Sequence, residues 1–221
     1  AEDIVEEVAR IIGYDEIPTK MLSSPIPYRE SSYSYDLRET IRDIMIASGM
    51  HETISYSATS KDNLRKVAML DNAPNPVRIT NPMTRELEVM RTTLRGSILK
   101  TLESNIKVSQ NKSIRLFEIG KIYIQDNALV NDKLPEEKEV LIGVLAGPRH
   151  QPSWAVKEKY MNFFDAKGVV EQVFTELGLA MECMPYKDPV MHPGKTAQIL
   201  CDGNNIGVLG EIHSDVLNQF D

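Results

Sequence analysis

Residues 81–124 constrain the fold more than any other stretch. They open on Asn81-Pro82-Met83-Thr84, a turn, because Asn-Pro starts loops and proline disfavours helix at the residue before it. Met90-Arg91-Thr92-Thr93-Leu94 then reads as a strand. Leu94, Ile98, Leu99, Leu102 and Ile106 recur at helical spacing, leaving Arg95, Lys100, Glu103 and Lys107 for the other faces. A second strand over 114–124 closes the stretch, with Ile114, Leu116, Ile122 and Ile124 alternating with polar neighbours around Phe117-Glu118.

The flanking segments extend this pattern into a mixed domain. Residues 3–12 predict a helix with Ile4, Val5, Val8, Ile11 and Ile12 on one face and Gly13 as its stop. A chain opening inside such a helix is expected to be a piece of a longer protein. Residues 19–34, with Pro25, Pro27 and five serines but no periodicity, read as a linker. Asp36-Leu37-Arg38-Glu39 resembles a capping box, and Leu37, Ile41, Ile44 and Met45 form the inward face of a helix up to Gly49. A strand over 53–58 follows. Residues 126–138 read as a mobile loop, and 139–146 as an apolar strand in the middle of a sheet.

Farther on, Ala166, Val169, Val170, Val173, Phe174 and Leu177 predict a helix over 165–177 ended by Gly178, with a close neighbour expected at Gly168. Strands over 196–201 and 206–212 flank Asp202-Gly203-Asn204-Asn205, a hairpin turn, and Ser214 is the expected cap of a helix reaching Phe220. Hairpins with helices between them imply an α+β domain, its mainly antiparallel sheet flanked by helices.

Composition excludes several function classes. No apolar run reaches the length of a membrane span, and Ala1-Glu2-Asp3 lacks a signal peptide's basic-then-apolar layout, so the cytoplasm is the expected compartment. Cys183 and Cys201 sit in apolar runs, as buried free thiols do, and two cysteines alone do not make a structural zinc site. The net charge of −7 argues against a dominant nucleic-acid surface. Residues 81–125 nevertheless carry eight Lys or Arg against four Glu. That local excess suits a solvated helix face and edge-strand lysines, or an RNA-facing patch.

Strand, long connection and strand with a Phe-Glu pair resembles the second motif of class II aminoacyl-tRNA synthetases, and helix then strand over 36–58 resembles the first. Five pieces in order along the chain resemble the β-subunit family of bacterial-type phenylalanyl-tRNA synthetase. They are residues 2–18, Asn81-Pro82-Met83, residues 114–124, Phe163-Phe164-Asp165-Ala166-Lys167-Gly168 and His192-Pro193-Gly194-Lys195-Thr196-Ala197. Arg95-Gly96-Ser97 departs from the family, which often has Leu-Pro-Gly there. The resemblance implies three parts: residues 1–18 as the closing helix of a truncated B5 domain, 19–34 as a linker, and 35–221 as a class II synthetase-like B6/B7 domain, incomplete at its C-terminus. It implies an intact parent that joins phenylalanine to tRNA with ATP as an (αβ)2 heterotetramer. Catalysis then belongs to the α subunit, tRNA meets other parts of the parent, and this fragment is a non-catalytic support packed on α.

The residues agree with an inactive pocket. A working class II site holds the ATP α-phosphate with an arginine on the first strand of the second motif and an acidic partner two positions later, since phosphate favours bidentate charged donors. Arg91 is the candidate, but Thr92 and Thr93 follow it and no arginine stands beyond Arg149, so no residue here is expected to be catalytic or to bind ATP. Asp3, Glu6 and Glu7 put three carboxylates on one side of a helix. That pattern serves a capping box and the helix dipole, or Mg²⁺, and the resemblance assigns these three to a magnesium site shared with α in the parent. It also places a further ligand, an aspartate, six residues before Asp3.

His192 reads as a turn residue, His213 as a residue beside a helix start, and Trp154 as packed on the domain or on a partner. Two other functions compete with the support: binding of an adenylate or amino acid in the domain's own pocket, and a regulatory synthetase-like module of another enzyme.

Overall fold

A computed structural model describes residues 1–21, 23, 32–67, 75–108, 113–125, 134–150 and 153–220. It divides into two compact units, Ala1–Tyr33 and Ser34–Asp221. Most of the expected linker and residues 126–133 of the expected loop lie outside the described residues.

The first unit holds helix α1 (Glu2–Ile12) and a single 3₁₀ turn over Tyr14–Glu16. Gly13 ends α1 at φ 100°, its N–H donating to the Ala9 carbonyl. The expected capping box is not formed. The N-cap is Ala1, which has no side-chain cap, so Asp3 falls inside the first turn, where its charge complements the dipole. No residue of α1 is buried, and Ile4, Val5, Val8, Ile11 and Ile12 are all exposed.

The second unit is organised around β4 (Ile114–Ile124). It pairs antiparallel with β5 (Glu136–Ala146) along its whole length, from Ile114 opposite Ala146 to Ile124 opposite Glu136, and parallel with β1 (His51–Glu52). Two expectations change. The strand expected at 139–146 lies at the edge of a sheet ordered β1-β4-β5, not in its middle, and residues 136–138 belong to it rather than to a loop. Its Glu136, Glu137 and Lys138 give that edge the charges that discourage pairing with another chain.

Alternation along β4 sends side chains into two cores. Ile114 and Leu116 pack with Ile98, Leu99 and Leu102 of α4 (Arg95–Val108) and with Val190, Val216 and Phe220. Phe117 points the other way, fully buried against Ile44 and Met45 of α2 (Tyr33–Ala47), Met50, and Val173 of α5 (Phe163–Glu176). Helices therefore cover both faces of the strand. The apolar run of α4 stops a turn early, for Ile106 is exposed.

The strand expected over 53–58 is not continuous. Only β1 and β2 (Ala58–Thr59) form, and β2 pairs with β3 (Val89–Met90) in a separate two-stranded sheet. Between them Ile54 and Tyr56 face outward and Ser55 inward, an alternation without a ladder. Between β2 and β3 lies helix α3 (Lys61–Val67).

The remaining elements form a third sheet, β6 (Glu182–Pro185), β7 (Met191–Cys201) and β8 (Asn204–Ile212), with Ile199 and Leu209 packed on Phe174 of α5. Asp202 and Gly203 turn the β7–β8 hairpin at φ 49° and 77°, the positive pair that a two-residue turn of this hand requires. Asn162 caps α5 reciprocally: its side chain accepts from the Phe164 N–H, and Asp165 accepts from the Asn162 N–H. The cap of α6 (Ser214–Leu217) is His213, not Ser214, with Nδ1 accepting from the Asp215 N–H at 3.2 Å. The neighbour expected at Gly168 is absent, since a Cβ there meets no heavy atom within 4 Å. Among the described residues the fold is α+β with antiparallel sheets, but in three small sheets and with one parallel pair rather than a single sheet. Among the described residues no helix is long and apolar enough to cross a membrane.

Candidate functional site

Arg91 is the centre of the site because the backbone on both sides holds it there. Its N–H donates to the Ser57 carbonyl at 2.9 Å, and its own carbonyl accepts from the Tyr123 N–H at the end of β4, also at 2.9 Å. The side chain is turned inward and is 3% exposed. Its Nη1 donates to Glu118 Oε1 at 2.7 Å and to Ser55 Oγ at 2.8 Å, and its Nε donates to the Lys121 carbonyl at 2.8 Å. Ser55 in turn donates its hydroxyl hydrogen bond to Glu118 Oε2 at 2.8 Å, which closes a ring of three side chains. Gly120 leaves room for the guanidinium, since a Cβ at that position would clash with Arg91 Nη2.

Sequence reasoning missed the partner. It sought a carboxylate two residues after Arg91, whereas Glu118 arrives from β4, 27 residues later. The available signal was a glutamate flanked by Phe117 and Ile119 with a glycine two places on. The strand assignment also changes: Arg91 follows the two-residue β3, and the long antiparallel hairpin is β4–β5. On β4 itself the arginine is Arg115, whose Nη2 donates to the Arg149 carbonyl at 3.1 Å.

Burial decides what this arrangement can do. Glu118 is 2% exposed, so drawing Arg91 away toward a phosphate leaves a carboxylate uncompensated in a low dielectric. Breaking a buried pair in that way costs about 3–5 kcal/mol. The guanidinium is therefore a closed part of the packing rather than an open anion site. Three other basic residues of 81–125 are occupied in ion pairs. Arg95 pairs with Asp188, Lys107 with Glu103 and Lys121 with Glu137, the pattern of a solvated, ion-paired surface.

The three carboxylates of α1 do not converge. Glu7 accepts from Arg10 at 2.5 Å, and among the described residues no group of three or more His, Cys, Asp or Glu is placed to hold a metal ion. Magnesium thus does not fit the α1 side chains by themselves. The remaining candidates have structural surroundings. His192 Nδ1 accepts from the Gly194 N–H, both cysteines are free and half-buried, and Trp154 is fully exposed. Burial pushes the Cys183 thiol up despite the charge of Lys167 nearby, which makes it an inert thiol. At Asp165 burial acts to raise the carboxyl pKa. The hydrogen bonds from Arg149 and the Asn162 N–H, with the charges of Arg149 and Arg115, outweigh it and hold the group below its ordinary value.

The family model described as the phenylalanyl tRNA synthetase beta chain CLM domain matches residues 17–221. The chain is 37% identical over 218 residues to the phenylalanine–tRNA ligase β subunit of Dehalococcoides mccartyi, covering 99% of itself and 26% of that protein. It is 34% identical over 223 residues to that of Bacillus thuringiensis subsp. konkukian, covering 100% of itself and 27% of the relative. It spans about a quarter of the length of these curated relatives. A structure of the pyrrolysyl-tRNA synthetase of Desulfitobacterium hafniense matches with a TM-score of 0.63 at 14% identity, over 86% of this chain and 63% of that one. At that identity the likeness speaks for the fold alone. With a family model matched over nearly its whole length, the chain belongs to the phenylalanyl-tRNA synthetase β-chain family and carries its CLM domain.

Proposed function

We propose that this chain serves phenylalanine–tRNA ligase as a non-catalytic, synthetase-like support. In this reading it packs on the α subunit within an (αβ)2 assembly in the cytoplasm. The α subunit joins phenylalanine to tRNA with ATP, and tRNA meets other parts of the longer β chain. One observation carries the reading: the arginine best placed to grip a phosphate is buried and spent on Glu118, Ser55 and the Lys121 carbonyl. Phosphoryl and adenylyl chemistry depends on positioned charge, and a guanidinium already neutralised supplies none.

Titrating ATP and phenylalanine into the purified chain tests this. No saturable heat is expected, and micromolar binding would transfer the reading to an adenylate or amino-acid module. Co-purification of the full-length β chain with an enzyme other than the synthetase α subunit would favour a regulatory module instead. Asp3, Glu6 and Glu7 remain the proposed β-chain share of a magnesium site, one completed in the parent protein by an aspartate six residues before Asp3 and by the α subunit. Mg²⁺ added to this chain alone is expected to give a flat calorimetric trace. Saturable binding there would refute that division of ligands.

A further inference from the structure

The single tryptophan of the chain, Trp154, is 101% exposed, yet the connection from β5 to α5 that carries it is pinned by backbone pairing. The Arg149 N–H donates to the Lys159 carbonyl at 2.6 Å and the Met161 N–H to the Gly147 carbonyl at 3.0 Å, around an antiparallel bridge between Pro148 and Tyr160. Arg149 is anchored in turn: its Nη2 donates to Asp165 of α5 at 2.8 Å, and its carbonyl accepts from Arg115 of β4. A second bridge pairs Ser153 with Val156, and Ser153 Oγ accepts from the Ala155 N–H at 3.2 Å. Trp154 and Ala155 are thus the two corner residues of a turn.

The turn itself does not call for tryptophan. Corners favour Gly, Pro, Asn, Asp and Ser, which bend the chain or bond to it locally. Nor does the core use it, since a fully exposed indole buries no apolar area in the fold. The neighbours indicate what the ring faces. Residues 153–160 are all exposed, Tyr160 among them, and among the described residues neither Lys157 nor Lys159 forms an ion pair. Residues 147–161 carry Arg149, Lys157 and Lys159 against Glu158 alone, in a chain of net charge −7. Arg149 is spent on Asp165, which leaves the two lysines. Protein interfaces are enriched in aromatic residues but depleted of lysine. Exposed aromatic rings beside lysines suit a single-stranded nucleic acid, whose bases stack on the ring while the ammonium groups meet the phosphates.

We infer that Trp154 stacks on an unpaired base of RNA and that Lys157 and Lys159 bind the phosphates beside it. Two lysines make a local contact, not the dominant nucleic-acid surface that the net charge argues against. The inference rests on the support reading above, in which the RNA within reach is the tRNA of the assembled enzyme. It adds one contact on this chain to those proposed for the rest of the β chain.

The test uses the assembled enzyme with full-length β variants and a tRNA transcript. Trp154→Ala is expected to raise the KM for tRNA by about tenfold, and Trp154→Tyr, which keeps a stacking ring, to restore most of it. Lys157→Gln with Lys159→Gln should weaken tRNA binding and lower its salt slope by about two. Activation of phenylalanine by ATP, measured without tRNA, should stay at the wild-type rate in all three. A wild-type KM for tRNA in Trp154→Ala, with an unchanged salt slope in the lysine variant, overturns this inference and leaves the support reading standing. Activation that falls together with tRNA binding also overturns it, as a structural effect. Separation of the subunits in Trp154→Ala overturns the choice of RNA in favour of a protein contact. Wild-type β that does not assemble with α overturns the support reading itself.

Discussion

Arg10–Glu7 on α1 and Arg91–Glu118 beside β4 are ion pairs of similar length, 2.5 and 2.7 Å, in opposite surroundings. The first has side chains 64% and 62% exposed, and the second 3% and 3%. Water already solvates both partners on α1, so their attraction changes little when the pair forms. Beside β4 water is excluded, and each charge depends on the other. The apolar residues divide in the same way. Ile11 of α1 is exposed, whereas Ile98 of α4, at the same kind of helical position, is 2% exposed beneath β4. Spacing states only that a face is available. Whether it carries energy depends on what the rest of the fold brings to it.

The largest test of this contrast removes each arginine. Arg91→Ala is expected to lose about 3–5 kcal/mol in urea denaturation, as a stranded buried carboxylate does, while Arg10→Ala should stay within about 0.5 kcal/mol. Equal losses would dissolve the distinction. Replacing both Arg91 and Glu118 by apolar residues of similar volume should recover much of the single-variant loss.

Next come the apolar faces. Ile98→Ala is expected to cost about 2–5 kcal/mol through the cavity it leaves, and Ile11→Ala a few tenths at most. A large loss at Ile11, read by the same denaturation, would show α1 seated on something. Smaller still are the helix starts. Asn162→Ala should cost about 1 kcal/mol by removing the α5 cap, whereas Ala1→Ser should add helicity to α1, which has no side-chain cap, in circular dichroism.

The smallest effect is with pH. Because the Asp165 carboxyl is held below its ordinary value in the fold, its contribution is complete above the unfolded value of about 3.9 and fades as pH falls through the folded one. Melting temperature should therefore drop more between pH 5 and pH 3, as about one unit either side of that value, in the wild type than in Asp165→Asn. Parallel curves would remove Asp165 from the acid response.

Much of this fold was legible because local physics dictates it. The 114–124 strand has the bounds that its alternation suggests, and Asp202-Gly203 is the turn that its tolerance of positive φ suggests. Misreadings arose where a residue's environment came from elsewhere in the chain. Residues 139–146 are apolar enough for a central strand, but among the described residues no further strand pairs with their outer side. Residues 53–58 alternate like a strand, but β2 turns to pair with β3. His213 took the cap of α6 from Ser214, a choice made by backbone geometry rather than by cap preference.

By itself the sequence determined most of the elements, the resemblance to the synthetase β-chain family and the lack of any arginine after Arg149, because periodicity, turn chemistry and residue identity act over a few positions. Only the tertiary structure decided that Arg91 is closed off. Its partner lies 27 residues away on β4, and desolvation, which turns a proximity into a commitment, is a property of the assembled interior.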